Sequence, residues 1–302
     1  MIKKFFIVFT IFGLLYACSN TGNKHEKATV TVSVVPQKFF VDRIAGSWLE
    51  VNVMVPVGAS PATYEPTPMQ MKSLSHSRAY FKIGHIGFEK AWMHKLESLN
   101  PAMKVIDTSK DLELIVEEEF DTKHTDDHGH SHSHEGYNPH IWLSPKLVKS
   151  QAKVIFKSLC DMYPNYKQEM TQNLAVFIQQ IDSTELELNH QLLNAQGTPF
   201  IVYHPVWNYL ARDYNLNQIS IEHNGKEASA NKLKTIIDFA KEKNIKIIFA
   251  QKEFNGSQAK SIAEEINGKV VFLNPLEYNW FAIMNEFTSV FSTEAGEIEK
   301  DN

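Results

Sequence analysis

Between Tyr166 and Asn194 the chain runs for 29 residues without a glycine or a proline. Along that run Met170, Leu174, Phe177, Ile178, Ile181, Leu188 and Leu192 recur every three or four residues, the spacing that lines up one face of an α-helix. Pro164 precedes the stretch, and Gly197 and Pro199 close it. Such a helix is roughly 43 Å long at 1.5 Å per residue. Few folds tolerate a rod of that length unless it braces something on both sides.

Strand and helix signals alternate on each side of it. Before it, the β-branched and apolar runs Thr29–Val35, Val51–Val57, Ala79–Ile83 and Lys104–Ile106 end at Pro36, Gly58, Gly84 and Asp107. Helical segments Phe39–Ala45, Pro68–Ser75 and Phe88–Leu99 lie between them. After it come Phe200–Tyr203, Gln218–Ile221, Ile245–Ala250 and Val270–Leu273, with helices over Asn231–Lys243 and Ser257–Ile266. Alternation of this kind predicts parallel sheets covered by helices. The expected fold is therefore α/β: two parallel-sheet lobes bridged by one long helix, with residues 28–165 in the N-terminal lobe, 166–195 in the connector and 196–302 in the C-terminal lobe.

The first residues carry an address. Lys3 and Lys4 precede the apolar run Phe5–Tyr16, too short to span a bilayer, and Ala17-Cys18 follows it like a small-residue cleavage site. Residues 1–17 read as a signal peptide. Leu15-Tyr16-Ala17-Cys18 resembles a bacterial lipobox, with a bulky Tyr16, so Cys18 is the expected lipidation site and residues 18–27 a polar tether. An ordinary signal peptide with an incidental cysteine is the alternative. With Cys18 lipidated only Cys160 remains, so no intramolecular disulfide forms. A net charge of -5 without a basic stripe argues against a nucleic-acid partner.

Residues 117–137 hold five histidines, His124, His128, His130, His132 and His134, among acidic residues and almost no apolar ones. A segment of this composition cannot bury enough surface to order itself and reads as a flexible surface loop. Clustered imidazoles suit labile binding of a borderline metal such as zinc.

Ligand sites in parallel α/β sheets lie beyond the carboxyl ends of the strands. His85 and His204 follow such strands directly, and His140 stands in Asn138-Pro139-His140-Ile141-Trp142-Leu143-Ser144-Pro145. All three are expected to face one crevice between the lobes. Trp142, Trp207 and Tyr209 flank them, as an apolar shell around the imidazoles or as core. His76, His94 and His190 read as solvent-exposed.

The succession Gly58-Ala59-Ser60-Pro61-Ala62-Thr63-Tyr64-Glu65-Pro66-Thr67-Pro68, then residues 138–145, then Tyr203-His204-Pro205-Val206-Trp207-Asn208-Tyr209-Leu210, then Asn274-Pro275-Leu276 resembles the metal-binding lipoproteins of bacterial ABC-type zinc and manganese importers, the ZnuA-like group. The resemblance implies a metal bound between the lobes and delivered to an inner-membrane permease by a lipid-anchored, periplasmic-side monomer. It assigns His140 and His204 as ligands, a pair that points to zinc, with manganese as the alternative. It also exposes two departures. The family's first ligand histidine is Ala62 here, and its aspartate is Asn274. His85 is the first choice to fill the gap, with Glu65, Glu222, His223 and Glu277 behind it. The departures leave a metal-buffering or adhesin-like surface lipoprotein as the competing reading. A metallohydrolase finds no positioned general base or recognisable catalytic motif.

Overall fold

The computed structural model describes residues 28–118, 135–222, 225–252, 254 and 256–301. Chain order runs β1 (Thr29–Val34), α1 (Val35–Ala45), β2 (Glu50–Val55), α2 (Pro68–Leu74), β3 (Ala79–Lys82), α3 (Gly87–Leu99), β4 (Lys104–Asp107), β5 (Val116–Glu118) and β6 (Glu135–Tyr137). Then follow α4 (Pro145–Met162), α5 (Lys167–Leu192), β7 (Pro199–Val202), α6 (Asn208–Asp213), β8 (Asn217–Ser220), α7 (Ala230–Glu242), β9 (Ile247–Ala250), α8 (Ser257–Glu265), β10 (Lys269–Phe272) and α9 (Trp280–Asp301). The first sheet has the order β2-β1-β3-β4 and the second β10-β9-β7-β8, and every pairing in both is parallel. The two α/β units expected from the alternation are both present. No helix among the described residues is long and apolar enough to cross a membrane. The signal peptide, the tether and Cys18 lie outside the described residues.

The local chemistry of helix starts sets most of the boundaries. Thr67 and Gln70 form a capping box on α2, with Thr67 N donating to Gln70 Oε1 at 2.9 Å and Pro68 at the first helical position. Ser144 Oγ caps α4 by accepting from Leu147 N, again ahead of a proline. The same proline logic corrects the reading of the first helix. It begins at Val35 and not at Phe39, because Pro36 is the first-turn residue of a helix and not the end of a strand. Gln37 Oε1 accepts from Ser33 N at 3.0 Å and so satisfies a backbone donor that the strand-to-helix junction leaves over.

Two further elements depart from expectation. Residues 117–137 are not irregular throughout: β5 and β6 pair antiparallel, Val116 with Tyr137 and Glu118 with Glu135, so the insertion leaves and re-enters through a short ladder. The five histidines between the two strands lie outside the described residues. The second element is α9, for which residues 280–301 gave no expectation. Its buried Trp280, Ile283, Met284, Phe287 and Phe291 form a helical stripe, of which Phe287 and Phe291 meet Phe200 of β7, while Phe281 beside the stripe meets Phe177 of α5.

The connector is real and slightly shorter than expected. α5 has 26 residues, roughly 39 Å, and a 3₁₀ turn over Leu193–Ala195 carries it to β7. Its apolar face lies against α1, α4 and α9. Phe177 meets Phe39, Phe40 and Phe281 at centroid distances of 6.0, 5.9 and 6.1 Å, and Phe40 meets Trp280 at 6.1 Å. One buried cluster thus runs from the first sheet through the connector to Phe200, Val202 and Phe249 of the second. The outer face of the second sheet has its own core, with Ile201, Ile248, Ile236 and Ile262.

Candidate metal centre

β7 and β8 are parallel neighbours with Val202 opposite Ser220, so the residues two places beyond each strand end, His204 and Glu222, come out side by side. Glu222 is 2% exposed, and its two carboxylate oxygens lie 3.2 and 3.1 Å from His204 Nδ1. Gly225 N donates to the same carboxylate at 2.7 Å. A carboxylate only accepts, so His204 donates from Nδ1 and turns Nε2 away from the carboxylate. Phe254 covers the ring at 4.9 Å, and Gln251 Nε2 donates to the His204 carbonyl at 3.3 Å.

His140 is prepared in the same way from the other side. Asn138 Oδ1 accepts from His140 N at 3.0 Å and faces His140 Nδ1 at 3.1 Å. The backbone N–H identifies that Asn138 atom as the oxygen, so Nδ1 donates here too and Nε2 is left free. Asn138 is itself fixed, since Tyr209 Oη donates to its carbonyl at 2.7 Å. Trp142 Nε1 donates to Pro275 O at 2.8 Å and Trp280 Nε1 to Trp142 O at 2.6 Å, which ties the His140 segment to the loop bearing Asn274. Trp142, Trp207 and Tyr209 are all buried, so the flanking aromatics are core that also carries hydrogen bonds to this segment.

The two rings stand 5.3 Å apart, centroid to centroid, at 77°. Two imidazoles sharing one tetrahedral zinc, each at Zn–N of about 2.0–2.1 Å, would place their centroids about 5 Å apart. Burial, and then the neighbouring His204, hold the His140 imidazole well below its usual value. It therefore stays neutral and able to ligate at neutral pH.

His85 sits on the adjoining loop. Its Nε2 lies 3.5 Å from Ser109 Oγ, its ring meets Tyr137 at 5.0 Å, and both line a groove of about 520 Å³ together with Asp107 and Lys110. Ser109 Oγ donates to Asp107 Oδ1 at 2.6 Å, and Lys82 Nζ pairs with Asp107 Oδ2 at 3.1 Å. Burial draws the His85 imidazole down, against the pull of Asp107. The loop is packed directly on the segment where the first family ligand is missing: Phe88 N donates to Pro61 O at 2.9 Å, and a Cβ on Gly87 would fall 2.3 Å from Ala62 O. His140 and His204 are thus brought together, whereas the His85 ring faces the groove of Ser109 and Tyr137, with only the Gly87–Phe88 end of its loop on Pro61 and Ala62. No group of three histidine, cysteine, aspartate or glutamate side chains converges among the described residues.

Of the remaining candidates, Glu65 is exposed. Asn274 is half-buried and spends its Oδ1 on Leu276 N at 3.0 Å. Glu277 follows it in the same turn. His223 lies outside the described residues. His76, His94 and His190 are exposed, as read. What the sequence did not reveal is the service role of Asn138 and Glu222, which hold imidazoles by their Nδ1 atoms. Outer groups of this kind set tautomer and orientation. Glu222→Gln is expected to weaken zinc binding by about 10–100-fold without unfolding the chain, measured by competition with a chromophoric chelator; unchanged affinity would remove Glu222 from the site.

Beneath His85 lies a buried carboxylate. Burial raises the Glu89 carboxyl to about 7 from its ordinary 4.5, against hydrogen bonds from Ser33, Ile83 and Gly84. Between those values the folded chain keeps a proton that the unfolded chain has released, so stability falls as pH rises from about 4.5 to 7. The rise corresponds to at most about 3 kcal/mol. Melting curves of the parent and of Glu89→Gln should therefore diverge progressively across that window, the parent losing relative stability; parallel pH profiles would refute the assignment.

Two four-stranded parallel sheets are joined by a single long helix, and the His140–His204 pair lies beyond the carboxyl end of β7. The chain belongs to the ZnuA family, zinc-uptake complex component A, periplasmic, whose model matches residues 30–293. It is 28% identical over 270 residues to the zinc-binding lipoprotein AdcA of Streptococcus pneumoniae (strain ATCC BAA-255 / R6), covering 87% of this chain and 53% of that protein. The chain spans about half the length of the AdcA relatives it matches. It is 27% identical over 295 residues to the high-affinity zinc uptake system protein ZnuA of Bacillus subtilis (strain 168), covering 92% of this chain and 90% of the relative. A crystal structure of ZnuA superposes with a TM-score of 0.81 at 37% identity, over 89% of this chain and 100% of the other.

Proposed function

We propose that the chain is the extracytoplasmic metal-binding component of an ABC importer, a non-enzymatic protein that captures zinc between its lobes and hands it to the membrane permease. The observation that carries this reading is the His140–His204 pair, 5.3 Å apart with both Nδ1 atoms engaged by acceptors, so that the two Nε2 atoms are left for one ion. Two imidazoles suit zinc better than the harder manganese ion. Open zinc sites keep three protein ligands, and His85 is assigned as the third because its loop occupies the Ala62 side of the crevice. Glu65 or a water completes the set. Cys18 carries the lipid, residues 18–27 tether the monomer to the membrane, and residues 1–17 are removed on export.

Titration of the metal-free protein with zinc and manganese in competition tests the reading. A single tight zinc site with clear discrimination against manganese is expected. Deleting residues 122–136 should abolish weak, multiple binding events and spare the tight one, since ligands in a segment of that composition are not preorganised. Loss of the tight site with the deletion would make the clustered histidines primary ligands. The mass of the mature chain settles the anchor: Cys18→Ser should abolish a lipid adduct.

A further inference from the structure

We propose that Glu89 is a positioning residue for metal capture, its buried carboxylate locking the Ile83–Gly87 loop that carries His85 and packs by Gly87 on Ala62. The proposal rests on the reading of His85 as the third zinc ligand.

Glutamate is rarely this deep in a protein: Glu89 is 3% exposed and lies in the first turn of α3. Both of its oxygens are spent on the loop and the strand beside it. Oε1 accepts from Ile83 N at 2.7 Å and from Ser33 Oγ, and Oε2 accepts from Gly84 N at 2.6 Å. Ser33 Oγ lies 2.8 Å from Tyr80 Oη, and since it donates to Glu89 it accepts from the phenol. The chain Tyr80–Ser33–Glu89 therefore anchors two successive backbone N–H groups immediately before His85. Two glycines seal the loop on its other sides. Gly84 has φ +109°, and a Cβ there would fall 2.4 Å from Ser109 Oγ; at Gly87 a Cβ would fall 2.3 Å from Ala62 O. A loop held on three sides has one place to put its histidine, and ordering it before the metal arrives spares that cost at binding.

Only a carboxylate suits the place. Glutamine offers one oxygen where the loop needs two, and its amide NH₂ would face a backbone donor. Aspartate is one methylene too short to reach from α3.

The test is a comparison of zinc affinities, with zinc alone as the probe, for the full chain and for His85→Ala, Glu89→Gln and the double variant, each checked by melting temperature. Glu89→Gln is expected to weaken binding by about 10–100-fold, as groups that orient a ligand do. In the His85→Ala background it should add nothing. If His85→Ala leaves affinity unchanged, the ligand reading of His85 fails and this inference with it. If His85→Ala weakens binding and Glu89→Gln does not, the inference alone is overturned. An equal loss from Glu89→Gln with and without His85 also overturns it, since the carboxylate would then serve the fold in general. Should Glu89→Gln not fold, Ser33→Ala decides by the same comparison: a loss confined to the background with His85 supports the proposal, and any other pattern sinks it.

Discussion

Alanine at His140 or at His204 is expected to weaken zinc binding by more than about 100-fold, beyond the 10–100-fold that follows loss of an orienting group. Each histidine is one half of the convergent pair, and each has an acceptor committed to its Nδ1, so no neighbour can take over its role without first leaving a buried acceptor unsatisfied. The two variants should also behave alike, since either leaves a lone imidazole facing the ion. If His85 is the third ligand, its loss should be of the same sign, and Ala62→His should tighten binding or displace His85, because the loop that carries His85 packs by Gly87 on Ala62. Proton competition adds a second signature. His140 is held neutral well below the usual imidazole value, so acidification toward that value should not itself take this ligand from the zinc. A His140→Ala protein that binds zinc within about tenfold of the parent would remove the pair from the site.

Much of this site was legible because strands that end in a polar residue announce their carboxyl ends. Ala79–Lys82 and Pro199–Val202 are short β-branched or aromatic runs closed by glycine or proline; the histidine after the second meets His140, while the histidine after the first faces the groove of Ser109 and Tyr137. The partners of those histidines were not legible. Glu222 stands among the candidate ligands in sequence, but it is 18 residues from His204, and only the adjacency of β7 and β8 makes it the partner of that imidazole. Glu89 was hidden for the opposite reason: a charged residue in a helix's first turn ordinarily faces water, and here it is turned into the core to serve three donors. The start of α1 was missed because Pro36 punctuates a strand and opens a helix equally well in sequence. In α9 the apolar stripe from Trp280 to Phe291 was readable in principle, at helical spacing and behind Asn279, whose Oδ1 accepts from Ala282 N at 3.4 Å as a cap.

The strongest effect on stability is expected from Phe177→Ala. Phe177 is fully buried at the middle of α5, where rings from α1, from the connector and from α9 meet: Phe39, Phe40 and Phe281 all lie within 6.1 Å of it. Truncating a buried phenylalanine costs about 3–5 kcal/mol, and this one has little chance to be compensated by collapse, because its ring neighbours belong to two other helices, α1 and α9. At roughly 2–4 °C per kcal/mol for a chain of this size, the melting temperature should fall by roughly 6–20 °C. The same contacts predict how the lobes move. With one core running from the first sheet through the connector to the second, metal entry and release should proceed by loop rearrangement and small tilts, not wide closure. Scattering profiles of metal-free and zinc-loaded protein should then give nearly the same radius of gyration, and the difference should grow in Phe177→Ala as the brace loosens. A parent protein that changes its radius of gyration widely on loading, or a variant that melts within a degree or two of it, would mean that the long helix links the lobes without coupling them.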